Sequence, residues 1–108
     1  MEYVFPEDWP RVLANLHRAV RGRGLIYLTV EQIDRAEIDE VFAEARAAGL
    51  PVVHGENLRR GGGYHYYPAA KLVSGWLAAE RLEIVNEGLS RARTYGYWHI
   101  LVRDRGER

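Results

Sequence analysis

Two rhythms of apolar positions alternate along the chain. Trp9, Val12, Leu13, Leu16 and Val20 recur at helical spacing and make one stripe, which predicts a helix over residues 6–21. Pro10 falls in the first turn, where a missing N–H costs little. "RGRG" at 21–24 then supplies a glycine-rich stop. "LIYLTV" at 25–30 is a nearly continuous run of β-formers, too short for a helix. A strand buried on both faces, inside a parallel sheet, has this appearance.

Helical spacing returns over 35–48, where Ile38, Val41, Phe42 and Ala45 form the stripe. Asp34 followed by Glu37 resembles a capping box, and Gly49 suits the residue just past the helix end. "LPVVHGE" at 50–56 reads as a short strand. A third helix is expected over 68–80, with Pro68 at its first position and Leu72, Val73, Trp76 and Leu77 on its buried face. "LEIVNEG" at 82–88 and "YWHILVR" at 97–103 are strands, with "SRARTYG" a polar turn between them. In the last strand Trp98, Ile100 and Val102 share one face and Tyr97, His99 and Leu101 the other. The tail "DRGER" is expected to fray.

The order helix, buried strand, helix, helix, strand, strand is α/β. A long helical crossover between the strands at 25–30 and 82–88 predicts that they run parallel, and the short turn before the last strand predicts an antiparallel pair. At 108 residues the chain is one modest domain, 1–108.

Composition adds mainly exclusions. The formal net charge is zero, which gives no general attraction to nucleic acid or anionic membrane. With no cysteine, disulfides and thiolate metal sites are ruled out and a reducing compartment is compatible. The start, "MEYVFPEDWP", lacks the basic-then-apolar order of a signal peptide, and no apolar run reaches the length of a membrane span. A soluble cytoplasmic protein is expected.

Three segments together resemble a known family. "PEDWPRVLANLHRAVRGRGLIYLTVE" is similar to the stretch of class I S-adenosylmethionine-dependent methyltransferases in which a helix enters the fifth strand through an R-P-G-G turn. "YHYYPAAKLVSGWLAAERLEIV" resembles their Tyr-rich segment and helix before the sixth strand, and "YWHILVR" their seventh, antiparallel strand. Gly22 and Arg23 stand where the family has Pro and Gly, and Glu80 and Arg81 where Ala-Gly is usual. An arginine in that left-handed position would cost on the order of 1 kcal/mol relative to glycine.

The resemblance covers only the C-terminal half of that fold. It implies a partial Rossmann-like methyltransferase sheet, with parallel strands, an antiparallel last strand and three helices. The strand at 25–30 would lie between the family's fourth and seventh strands, and the fourth has no counterpart here. The family holds its cofactor through a glycine-rich loop after the first strand and an acidic residue after the second, and neither segment is present. Gly61, Gly62 and Gly63 follow no buried strand and lack G-x-G-x-x-G spacing. The chain alone is therefore expected to bind no cofactor and to be inactive. Completed by a partner, it would transfer a methyl group from S-adenosylmethionine to a substrate that the sequence does not identify.

The resemblance also implies where a site would lie. Residues just after the fourth strand map to Met1–Phe5, which makes Glu2 and Tyr3 pocket candidates, although an isolated chain start is ordinarily frayed. Tyr64, His65 and Tyr66 would border the substrate side. Aromatic walls with one imidazole suit a flat or cationic substrate. The blander alternative is that Tyr66 and Tyr67 pack under the third helix while the glycines merely turn the chain.

Other chemistry is sparse. His17, His54, His65 and His99 have no metal-ligand spacing. His17 belongs on the flank of the first helix, and His99 reads as a hydrogen-bonded structural residue. There is no G-x-S-x-G, and Ser74 and Ser90 have no partner base in view. Arg59, Arg60, Lys71, Arg91 and Arg93 near Tyr64 and Tyr66 could face a single strand of nucleic acid, but Glu56, Glu80, Glu83 and Glu87 balance them.

Without a fourth strand, residues 25–30 would expose a row of backbone donors and acceptors, a template for pairing. A homodimer through this strand, or a separate chain carrying the missing half, follows. The contrasting expectation is a non-enzymatic α/β interaction module that assembles through the same edge.

Overall fold

A computed structural model describes residues 1–60 and 62–106. A 3₁₀ turn, Pro6–Asp8, leads into α1 (Trp9–Val20). There follow β1 (Leu25–Ile33), α2 (Arg35–Ala47), β2 (Glu56–Asn57), β3 (His65–Tyr66), α3 (Ala70–Ala79), β4 (Leu82–Arg91) and β5 (Tyr95–Asp104). All three expected helices are present. The strand expected over 50–56 shrinks to the Glu56–Asn57 bridge.

The sheet corrects the expected architecture. Its order is β1-β5-β4, and β5 is antiparallel to both neighbours. β1 and β4 do run in the same direction, but β5 lies between them, so no parallel ladder forms. The parallel, Rossmann-like sheet expected from the crossover is absent. A helical crossover fixes the relative direction of two strands without making them neighbours. Here the short β4–β5 turn returns the chain into the gap between them.

The strand at 25–30 is also not buried on both faces. Ile26, Leu28 and Val30 are buried, whereas Leu25 and Tyr27 are more than half exposed, at 56% and 61%. Ile26, Leu28 and Val30 join Trp98, Ile100, Val102 and Leu82 in a core closed by Trp9 and Leu13 of α1 and Val73 and Leu77 of α3. The rings of Trp9 and Trp76 stack across the two helices at 5.4 Å. Leu72, expected on the buried face of α3, is exposed.

α2 does not cover the opposite face of the sheet. It has no fully buried residue, and its stripe leans on the segment that leads to β2, with Phe42 edge-on to His54 at 5.4 Å. On the outer face of the sheet Tyr27 and Tyr95 are exposed and Tyr97, His99 and Leu101 half-buried. Asp34 caps α2 by accepting from the Ala36 amide at 3.0 Å, but the capping box is half formed because Glu37 turns to Arg60 and Asn57. Pro68 lies two residues ahead of α3, whose cap is Ala69.

The expected left-handed arginine is there: Arg81, at φ 63°, is the one non-glycine with positive φ among the described residues. Asp104 and Gly106 are tied down rather than frayed. Asp104 accepts from the Gly22 amide at 2.8 Å, and the Arg105 amide donates to the Arg81 carbonyl at 2.9 Å. Glu107 and Arg108, the end of the expected frayed tail, lie outside the described residues, as does Gly61 of the glycine run.

Candidate functional site

The C-terminal end of β1 gathers the chemistry. The Met1 ammonium donates to the Thr29 carbonyl at 3.3 Å and pairs with the Glu2 carboxylate at 3.2 Å. The Tyr66 amide donates to the Glu2 carbonyl at 2.7 Å. The first residues are therefore held against β1 and β3 rather than frayed. This holds because Met1 and Val4 pack on the core and the free side of β1 offers carbonyls to donors.

Around that attachment lies an aromatic and acidic cluster. Tyr3 stands 5.0 Å from His65, and the His65 ring stacks on Tyr67 at 5.8 Å and nearly parallel. His65 is buried, and its Nδ1 donates to the Gly63 carbonyl at 3.0 Å, which leaves Nε2 unprotonated in the neutral ring. Tyr64 packs edge-on to Phe5 at 4.8 Å and donates to Glu56 at 2.6 Å. Burial and that carboxylate push the Tyr64 phenol well above its ordinary range.

Of the residues singled out in the sequence, Glu2, Tyr3 and His65 thus come together. Tyr64 stands beside them on Phe5 and Glu56. Tyr66 faces the core, where its ring is almost fully enclosed.

A cleft of about 690 Å³ opens next to this cluster, between the end of β1, the start of α2, the segment before α3 and the β4–β5 turn. It is lined by Glu31, Arg60, Tyr67 and Tyr95, among others. Arg60 is fully engaged. Its guanidinium forms a two-point bond with Glu37, at 3.0 and 2.8 Å, and also reaches the Thr94 carbonyl at 3.1 Å. The Arg60 bond holds Glu37 below the usual carboxylate range, and Glu37 in turn raises Arg60.

Glu31 and Tyr67 are different. The Glu31 carboxyl is half-buried, and burial, then the charge of Glu2, push it above its ordinary value. Tyr67 is 2% exposed, and its phenolic oxygen is buried with no hydrogen-bond partner among the described residues. Burial, then Glu31, push this phenol far up. For Glu2 burial also acts upward, but its own backbone amide, the Met1 ammonium and His65 outweigh that and hold it low. Glu31 and the neutral Tyr67 phenol thus line the cleft, while Glu2 and His65 stand in the adjoining cluster.

Sequence reasoning missed Glu31 and Tyr67 as site residues and named Arg60 only for a surface facing nucleic acid. Glu31 was visible only as the polar residue ending an apolar strand, and Tyr67 was set aside as packing. A second cluster, on the open face, was also missed. His99 hydrogen-bonds Tyr27 through Nδ1 and the Ser90 hydroxyl through Nε2, the latter at 2.8 Å. Ser90 therefore does have a base beside it. The register that sets Gly88 opposite His99 brings Ser90 within reach.

Among the described residues no group of three or more His, Asp or Glu converges on a metal position. No described helix is long and apolar enough to cross a membrane. No family model, curated protein or solved structure matches the chain.

Proposed function

We propose that the chain is the substrate-side part of an S-adenosylmethionine-dependent methyltransferase, completed by a nucleotide-binding segment that pairs along the free side of β1. The observation that carries this reading is the placement of Met1–Tyr3. These residues lie beside the middle of β1, bonded to Thr29, with Tyr3 against His65. The sequence resemblance puts the residues that follow a fourth strand, near the reacting methyl group, at the same positions. The pairing of β1 with β5 supports the reading too, as that resemblance makes the last strand the neighbour of 25–30.

In this reading the cleft at Glu31 and Tyr67 receives the methyl acceptor. The acceptor's nucleophilic atom would attack the sulfonium methyl directly, so the chain's contribution is orientation and exclusion of water. Glu31, once ionised, would take the acceptor's proton. The cofactor is held by the completing segment, because these 108 residues carry no glycine-rich loop after a buried strand. A cytoplasmic setting fits the absence of cysteine.

The test starts from the coding DNA upstream of the Met1 codon. A glycine-rich strand–loop–helix pattern is expected there. Co-expressed with this chain, it should form a complex that transfers labelled methyl from S-adenosylmethionine. A flanking sequence without that pattern, or a stable complex that transfers nothing to any acceptor class, contradicts the reading. A second reading has its own observation: the open face of the sheet exposes Leu25, Tyr27 and Tyr95, which suits a binding module without chemistry.

A further inference from the structure

Two polar side chains belong to the residues lining the cleft and have no bonded partner among the described residues, and they lie in each other's field. Glu31 makes no hydrogen bond or ion pair among the described residues, and the Tyr67 phenol is buried and unpartnered. A half-buried carboxylate is costly unless a donor meets it, and a buried hydroxyl is costly unless bonded. One ligand group with several N–H donors and a positive charge satisfies both.

Aromatic rings complete the environment. Tyr95 lines the cleft and meets Tyr97, the cross-strand partner of Glu31, edge-on at 5.8 Å. Ring faces beside a carboxylate favour a cation over a neutral group. The geometry points to a protonated amine as the ligand of this cleft, its ammonium bridging Glu31 and the Tyr67 phenol beside Tyr95. Resting on the methyl-transfer reading, the inference makes the acceptor an amine or a molecule anchored by one.

An anionic ligand competes for this cleft, since four arginines line it, but the amides at the start of α2 and Arg60 are already committed. At the start of α2 the amides of Ala36, Glu37 and Ile38 already donate to Asp34. Arg60 is committed to Glu37 and Thr94. Of the cations that act on Glu31, Arg60 and the Met1 ammonium are engaged with Glu37 and Glu2, so neither bonds the Glu31 carboxyl.

The test uses the chain alone, with n-butylammonium and its neutral isostere butan-1-ol as probes, followed by the amide NMR shifts of Glu31, Tyr67 and Tyr97. Butylammonium should bind at least tenfold tighter than butan-1-ol, and Glu31→Gln should remove that preference. Tyr67→Phe should weaken the amine several-fold while leaving the alcohol unchanged. Equal affinity for amine and alcohol, or an amine affinity unchanged in Glu31→Gln, overturns the inference. Because no cofactor is involved, the outcome is separate from the methyl-transfer test. Amine binding without transfer would retire the proposed function alone, and transfer without amine binding the inference alone.

Discussion

The amide of Tyr66 donates to the carbonyl of Glu2 at 2.7 Å, which ties the start of the chain to the aromatic segment before α3. Met1 and Val4 pack on the core beside this bond. Deleting residues 1–4 should therefore destabilise the fold by about 2–3 kcal/mol, the worth of two partly buried apolar side chains and their backbone bonds. Urea unfolding measures the loss. A frayed start would give a change near zero.

His17 clamps three elements together. Its Nδ1 meets Glu80 at 3.0 Å and its Nε2 meets Asp104 at 2.9 Å, which joins α1 to the end of α3 and the end of β5. Asp104, then Glu80, raise the His17 pKa against the opposing effect of burial. The amides of Gly22 and Gly106, then His17, depress that of Asp104. The His17 contribution is thus fully present below its unfolded value of about 6.5 and is lost as pH rises through the higher folded value. The Asp104 contribution is present above about 3.9 and is lost as pH falls through the lower folded value. Thermal unfolding should show Tm falling as pH rises above about 6.5 in the native chain, and His17→Gln should flatten that slope.

Arg81 holds a conformation that an L-residue adopts at a cost. Arg81→Gly relieves about 1 kcal/mol of backbone strain and forfeits an exposed bond from Nε to the Gly106 carbonyl. A net gain of about 0.5 kcal/mol is expected, seen as a Tm rise of a few degrees.

Gly55 and Gly49 both have positive φ, at 105° and 78°, but only one is crowded. A Cβ on Gly55 would lie 2.5 Å from the Tyr67 carbonyl oxygen, whereas one on Gly49 meets nothing within 4 Å. Gly49→Ala should cost about 1 kcal/mol from strain alone. Gly55→Ala should cost roughly 3 kcal/mol or more and displace Tyr67 from the cleft. Comparison of the two unfolding midpoints checks this.

These cases show what the sequence reveals and what it hides. The stripe of α1 and the alternation of Trp98, Ile100 and Val102 are local properties, written in residue spacing, whereas the left-handed Arg81 was legible only through the resemblance and the α3 stripe was right except for Leu72. The sheet order is not a local property. Leu25 and Tyr27 look like core residues because an apolar run has the same appearance whether or not its second face is covered. The parallel sheet failed for a related reason: the connection between 25–30 and 82–88 sets direction, not adjacency. At the site, the Tyr3–His65 contact was legible only through resemblance. The Glu31–Tyr67 and Ser90–His99 proximities depend on register and on the path of the loop before α3, which no short-range pattern encodes.

The central claim is that this chain supplies the acceptor side of a methyl-transfer site while the cofactor is held by a segment pairing along β1. Calorimetry with S-adenosylmethionine tests it directly. The chain alone should give no heat of binding up to about millimolar ligand, and the chain with its completing segment should bind at about micromolar Kd. Clear micromolar binding by the chain alone would contradict the account.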